Sequence, residues 1–186
     1  MKDQTDYTDL IRLTLSGNKE AYSELYDKTI QEVYKTAHFL IEDKADVDDV
    51  VQEIYIQVYE SLRKYDSEKP FRPWLIGLTI KQIHFYRRKR WMRLRTVKKA
   101  EEQRKPVQLD FSNDVISKIT NQKLIELIHK LPYKLKQVII LRYLHDYSQE
   151  EVAQILHIPI GTVKSRIHAA LKGYTIITVV YLFFYC

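Results

Sequence analysis

Cysteine is almost missing from this chain of 186 residues: there is one, Cys186. A single thiol excludes an intramolecular disulfide framework and any cysteine-based zinc site, which fits a reducing compartment. Glycine and proline are scarce as well, at four and five. With so few turn formers and helix breakers, the helical periodicity along most of the chain argues for an all-α protein, and no convincing strand alternation precedes the tail. Enzyme chemistry lacks its usual parts. The six histidines, His38, His84, His129, His145, His157 and His168, are scattered. There is no HExxH, no glycine-rich phosphate loop and no carboxylate pair set in a cleft, so no catalysis, cofactor or metal is expected. Carboxylates are missing locally. Residues 71–105 hold 2 acidic side chains against 12 basic ones, whereas residues 1–70 hold 16 against 9 and residues 106–186 hold 6 against 9. An acidic lobe beside a basic belt implies two different partners, one of them a polyanion. The polar, acidic start MKDQTDYTDL has no signal-peptide pattern, and 45% hydrophobic content is that of an ordinary soluble globular protein.

What is present centres on SQEEVAQILHIPIGTVKSRIHAALK, from Ser148 to Lys172. Ser148 is a natural N-cap with Glu151 three residues on, the spacing of a capping box, and the helix it starts runs to about Leu156. Pro159 falls near the start of a second helix, where its missing N–H costs nothing. Val163, Ile167, Ala170 and Leu171 recur at the spacing of one buried face, which leaves Ser165, His168, Ala169 and Lys172 on the opposite side with Lys164 and Arg166 flanking them. Two short helices joined by a tight turn, the second with a polar and basic outer face, form a helix-turn-helix suited to a DNA groove. An ordinary surface helix with solvated charges is the alternative.

Upstream, a first helix is expected around Asp6–Ser16, ending at Gly17–Asn18. A longer one follows with apolar residues at Tyr22, Leu25, Tyr26, Val33, Tyr34, Ala37, Leu40 and Ile41. The third begins after Asp46 and buries Val47, Val50, Val51, Ile54, Val58 and Leu62, leaving Asp49, Gln52, Glu53, Gln57 and Glu60 elsewhere around it. A polar loop, Tyr65–Pro70, closes it. The fourth starts near Phe71–Trp74 and is apolar on more than one side through Leu75, Ile76, Leu78, Ile80 and Ile83, so it should pack between the others. From Arg87 it turns into RRKRWMRLR, a basic run with an aromatic inside it. Residues from about Thr96 to Asn113 lack a clear period and read as a linker. Helices are expected after it at Asp114–Lys130, Tyr133–Leu144, Ser148–Leu156 and Ile160–Lys172.

An acidic helix, an aromatic and basic helix, a linker and a helix-turn-helix, in that order, resemble a bacterial RNA polymerase sigma factor of the extracytoplasmic-function group. DVDDVVQEIYIQVYESL is similar to the family's core-polymerase-binding helix, and FRPWLIGLTIKQIHFYRRKRW to its segment that reads and melts the −10 element. LPYKLKQVIILRYLHDYSQEEVAQILHIPIGTVKSR is similar to its C-terminal domain, which binds the −35 element. The resemblance implies two helical domains, at 1–95 and 114–173, with a linker at 96–113 and an atypical tail at 174–186. It implies core RNA polymerase (β′ and β subunits) and promoter DNA as partners, an anti-sigma factor as regulator, a cytoplasmic location and no stable membrane insertion. Core contacts are expected at Asp49, Gln52, Glu53 and Gln57, and −10 contacts at Tyr65, Lys69, Phe71, Trp74, Lys81, Arg87, Arg88, Lys89 and Arg90. Contacts to the −35 element are expected at Thr162, Lys164, Ser165, Arg166, His168 and Lys172. For the acidic face a solvated surface is the alternative, and for Trp74 a place in the core. For the whole chain the alternative is a stand-alone helix-turn-helix regulator with an N-terminal interaction domain.

The sequence departs from the family pattern in four places. Lys81 and Phe85 stand where relatives usually carry Asn and Asp. His157 holds a turn position that relatives usually fill with Gly, and Ala169 is shorter than the polar side chain common there. The last fourteen residues, GYTIITVVYLFFYC, carry no charge. From Tyr174 on they would span only about 20 Å as a helix, against a hydrocarbon core of about 30 Å, so they are not expected to anchor the chain in a membrane.

Overall fold

The computed structural model describes residues 2–100 and 127–173, with side chains for 7–95 and 127–172, and among these residues every regular element is helical. The elements are α1 (Lys2–Leu15), α2 (Lys19–Leu40), α3 (Val47–Ser61), α4 (Phe71–Ala100), α5 (Tyr133–Ile139), α6 (Gln149–Leu156) and α7 (Ile160–Gly173). Short 3-10 turns at Lys44–Asp46 and Leu62–Lys64 flank α3, and α5 runs on into a π-helical turn at Ile140–Leu144.

The helix boundaries follow from local chemistry. Gly17 takes a φ of +95° between α1 and α2, and the Asn18 side chain then accepts the Ala21 N–H at 2.9 Å to cap α2. Pro73 lies in the first turn of α4, where no i−4 carbonyl awaits its missing N–H. The α3 stripe Val47, Val50, Val51, Ile54, Val58 and Leu62 is buried as the periodicity requires. Along α2, Leu25, Val33, Ala37, Leu40 and Ile41 are buried, Tyr22 and Tyr34 are half-buried, and Tyr26 is exposed with its ring 4.5 Å from that of Tyr55.

The fourth helix organises the molecule. Leu75, Ile76 and Ile83 are fully enclosed because α4 packs against α1, α2 and α3 on one side and α6 on another, passing the Ile155 carbonyl at Gly77. Burial of each such side chain contributes about 1.5–3 kcal/mol, so truncating Ile76 to Ala should cost about 2–5 kcal/mol. The helix continues through Ala100, into the stretch whose composition reads as a linker. Most of that linker and of the Asp114–Lys130 helix lies outside the described residues, as does the uncharged tail; residues 127–130 are helical. In the C-terminal half, α7 packs on α5 and α6. The two halves also rest on each other, α2 against α5 and α4 against α6.

Candidate nucleic-acid interface

The helix-turn-helix is built as its sequence specifies. Ser148 Oγ accepts the Glu151 N–H at 3.1 Å while a Glu151 carboxylate oxygen accepts the Ser148 N–H at 2.8 Å, closing the capping box at the start of α6. At the other end His157 adopts left-handed backbone (φ 51°, ψ 47°), and the Ile158 N–H returns to the Ala153 carbonyl at 3.1 Å. That is the bond of a Schellman turn, with histidine where glycine would be unstrained. The Pro159 carbonyl then accepts the Thr162 and Val163 N–H groups, starting α7. Val163, Ile167 and Ala170 are buried, and Lys164, Ser165, His168, Ala169 and Lys172 are exposed. Arg166 and Thr162 are half-buried at the flank. The outer face of α7 is therefore a convex strip of hydroxyl, imidazole and cationic groups, the chemistry that reads base edges and holds phosphates.

The basic helix divides into two populations. Arg87 is drawn into the fold: its guanidinium lies 3.8 Å from the centre of the Tyr133 ring, donates to the Leu40 carbonyl at 3.3 Å and pairs with Glu42 at 2.8 Å. Arg90 pairs with Asp43 and Asp46 at 2.9 and 2.8 Å, beside Tyr86, whose hydroxyl donates to Asp46. Lys81, Arg88 and Lys89 are exposed. Helix α4 contains no carboxylate of its own, so its exposed cations have no neutralising neighbour along the helix. Upstream of it, Tyr65, Phe71 and Trp74 form an aromatic cluster with ring centres 5.0–5.5 Å apart. Phe71 is fully buried and serves as the floor of this cluster, while Tyr65 and Trp74 are half-buried and Lys69 is exposed.

On α3, Asp49, Gln52, Glu53 and Glu60 are exposed, and Gln57 is half-buried, donating to Glu60 at 2.7 Å. Two apolar side chains share this face, Ile56 at 53% and Tyr59 at 54% exposure. Sequence reasoning passed over both; the signal was an isoleucine in the middle of the polar stripe Asp49, Gln52, Glu53, Glu60.

Between the halves lies a cleft of about 1020 Å³. Lys69, Trp74 and Lys81 line one wall, and Tyr133, Lys134 and Arg166 the other. A polar clasp closes the contact elsewhere. Glu32 on α2 takes Arg72 at 2.9 Å on one oxygen and the Tyr147 hydroxyl at 2.7 Å on the other, and Thr36 Oγ1 meets His145 Nε2 at 2.8 Å. Burial lowers the His145 pKa to about 4, outweighing the nearby Glu32, which acts in the opposite sense. His38 and His129, whose rings meet 6.3 Å apart across the same contact, are also lowered to about 4, by burial first and by Lys44 second. Among the described residues no cluster of three His, Cys, Asp or Glu could hold a metal ion, and no helix is long and apolar enough to cross a membrane.

The chain matches two family descriptions, Sigma-70 region 2 over residues 25–93 and Sigma-70, region 4 over residues 121–172, together about two thirds of its length. It is 27% identical over 169 residues to the ECF RNA polymerase sigma factor SigW of Bacillus subtilis (strain 168), covering 85% of this chain and 89% of that one. To the ECF RNA polymerase sigma-E factor of Escherichia coli (strain K12) it is 27% identical over 178 residues, covering 91% and 93%. Its fold is similar to that of the sigma factor RpoE from Bartonella quintana, solved with the anti-sigma factor NepR, at a TM-score of 0.70 and 18% identity, covering 86% of this chain and 97% of that one. It is also similar to CnrH, solved with the cytosolic domain of CnrY, at 0.64 and 22%, covering 95% and 97%.

Proposed function

The chain belongs to the extracytoplasmic-function group of the sigma-70 family, the factors that direct bacterial RNA polymerase to promoters, and from that premise we propose how its parts divide the work. Residues 1–95 hold core polymerase and the −10 element, 96–113 link, 114–173 hold the −35 element, and 174–186 form a tail outside the family pattern. On α3, Asp49, Gln52, Glu53 and Gln57, joined by the exposed Ile56 and Tyr59, receive a basic helical partner on the β′ subunit: the carboxylates steer and the two apolar groups supply burial. Lys81, Arg88 and Lys89 hold the opened −10 strand, and Tyr65 and Trp74, backed by Phe71, cradle an unpaired base. Lys69 supports the strand from the loop. Arg87 and Arg90 join them after leaving Tyr133 and the Asp43–Asp46 pair. At the −35 element Lys164, Arg166 and Lys172 meet phosphates, and Thr162, Ser165 and His168 approach base edges. The protein acts in the cytoplasm, by binding and not by chemistry.

The observation that carries this division is one chain with three exposed faces of distinct chemistry: carboxylate-rich on α3, carboxylate-free and basic on α4, polar and basic on α7. The candidate readers of both promoter elements line the same cleft through Lys81, Trp74 and Arg166, so the halves must part before two separated elements can be engaged. The cleft, apolar within and cationic at its rim, suits an acidic amphipathic segment of an anti-sigma factor. Copurification with the cognate core polymerase tests the reading. A stable complex lost on charge reversal of α3 supports it, and tight duplex binding by the free chain with no affinity for core overturns it.

A further inference from the structure

Helix α4 carries more exposed apolar surface than its packing needs. Phe85 is 64% exposed, Trp91 57% and Met92 49%. They are set among cations. At 100° per residue Lys81, Phe85, Arg88, Met92 and Arg95 fall on one solvent-facing stripe, with Trp91 at its edge and the Arg95 guanidinium 4.5 Å over the Trp91 ring. Gln82, on the flank towards α3, bonds Gln57, while Tyr86, Arg87 and Arg90 are taken up by the opposite, inward side. Phe85 thus lies between two cations one turn away on either side, with no aromatic partner among the described residues. Lys81, Arg88 and Arg95 recur every seven residues, about 10.5 Å along the axis, close to the length of three stacked nucleotides of one strand.

A cationic row with planar, water-exposed rings between its members is the arrangement that holds single-stranded nucleic acid, phosphates on the charges and bases on the rings. We propose that Phe85 is a specificity-determining residue: a platform on which one unpaired base of the −10 strand stacks, with Lys81 and Arg88 holding phosphates about three nucleotides apart along the stretch that contains it. This rests on the reading that α4 holds the opened strand. A phenyl ring has no hydrogen-bonding atom, so it discriminates by stacking area and favours a purine over a pyrimidine at the base it meets. The neighbouring Lys81 offers only donors, and these go to phosphate or to a base acceptor. Neither Lys81 nor Phe85 pairs a donor with an acceptor, so this part of the stripe reads shape and not a base edge.

The test uses holoenzyme assembled from the full chain and its cognate core polymerase, with a pool of promoter-fork DNA whose −10 strand is single-stranded and randomised. Phe85→Ala, Phe85→Leu and Phe85→Trp are compared with the parent for pool affinity and for the bases selected. The parent should select a purine at one single-stranded position. Phe85→Ala and Phe85→Leu should lose that preference and bind about tenfold more weakly or worse, while Phe85→Trp retains both. Equal selection by parent and Phe85→Ala, or retention by Phe85→Leu as good as by Phe85→Trp, would overturn the proposal while leaving the sigma assignment intact. Loss of core affinity in place of DNA affinity would overturn it too, marking the stripe as a protein contact. If the parent forms no holoenzyme, the underlying assignment itself fails.

Discussion

Acidification should loosen the contact between the two halves, and His145 sets the size of the effect. Its side chain is 4% exposed. Thr36 gives its own hydroxyl proton to the Glu32 carbonyl at 2.8 Å, so His145 Nε2 must be the donor in the bond to Thr36, which leaves Nδ1 bare, 3.7 Å from a Glu32 carboxylate oxygen. Protonating Nδ1 would bring a charge into an enclosed site whose carboxylate already serves Arg72 and Tyr147. Burial accordingly lowers the pKa from 6.5 to about 4, with Lys35 and Arg72 acting in the same sense and Glu32 against them. For a base lowered in the packed state, the separated chain takes up the proton that the packed chain refuses. The stabilisation is therefore complete above about pH 6.5, falls as the pH drops towards 4 and levels off below that. Between pH 7.5 and 5.5 this one group should cost about 1.3 kcal/mol, close to tenfold in the packed population. His38 and His129 act with the same sign but are less enclosed, so their share is smaller. Urea midpoints at the two pH values measure the sum, and energy transfer between dyes on Glu24→Cys and Ser165→Cys, with Cys186→Ser, reports separation of the halves. His145→Gln, which keeps an N–H for Thr36 but cannot ionise, should remove about 1.3 kcal/mol of the pH dependence. An unchanged slope in that variant would refute the assignment of the effect to His145.

Three other expectations address the separate surfaces. Asp49→Lys with Glu53→Lys should abolish core binding and leave the circular-dichroism melt unchanged, because both side chains are exposed; native core affinity would remove α3 from the interface. Lys164→Ala and Lys172→Ala should each weaken DNA binding across all sequences and reduce the salt slope by about one, whereas replacing Ser165 or His168 should alter preference at single positions by about 1–3 kcal/mol. Binding selections that return the parental preference would exclude those two. Ser148→Ala should cost about 1 kcal/mol through the lost cap, and His157→Gly should gain a similar amount by relieving left-handed backbone at a non-glycine residue; denaturant midpoints check both.

Local chemistry explains why so much of the fold could be read in advance. The Ser148–Glu151 box and the α3 stripe are governed by neighbours three and four residues away, and both lie where the sequence indicates. The left-handed backbone at His157 follows from the family resemblance, which puts this residue at a turn position that relatives usually fill with Gly. The contact between the halves was not legible. Thr36 and His145 are 109 residues apart and Glu32 and Tyr147 are 115 apart, and no spacing rule links them. For the same reason the basic run RRKR reads as four equivalent cations, although Arg87 and Arg90 point into the fold and Arg88 and Lys89 away from it. Ile56 and Tyr59 are marked only by interrupting a polar stripe, a local signal that the buried-face period of α3 does not carry.

Run-off transcription with the purified cognate core, across a library of promoters with varied −35 and −10 elements, tests the central claim most directly. The account predicts that the full chain confers initiation on a defined subset sharing both elements, that core alone does not initiate there, and that Asp49→Lys with Glu53→Lys removes the effect. Initiation independent of the added chain, or selective duplex binding by the chain without any gain in transcription, would contradict it.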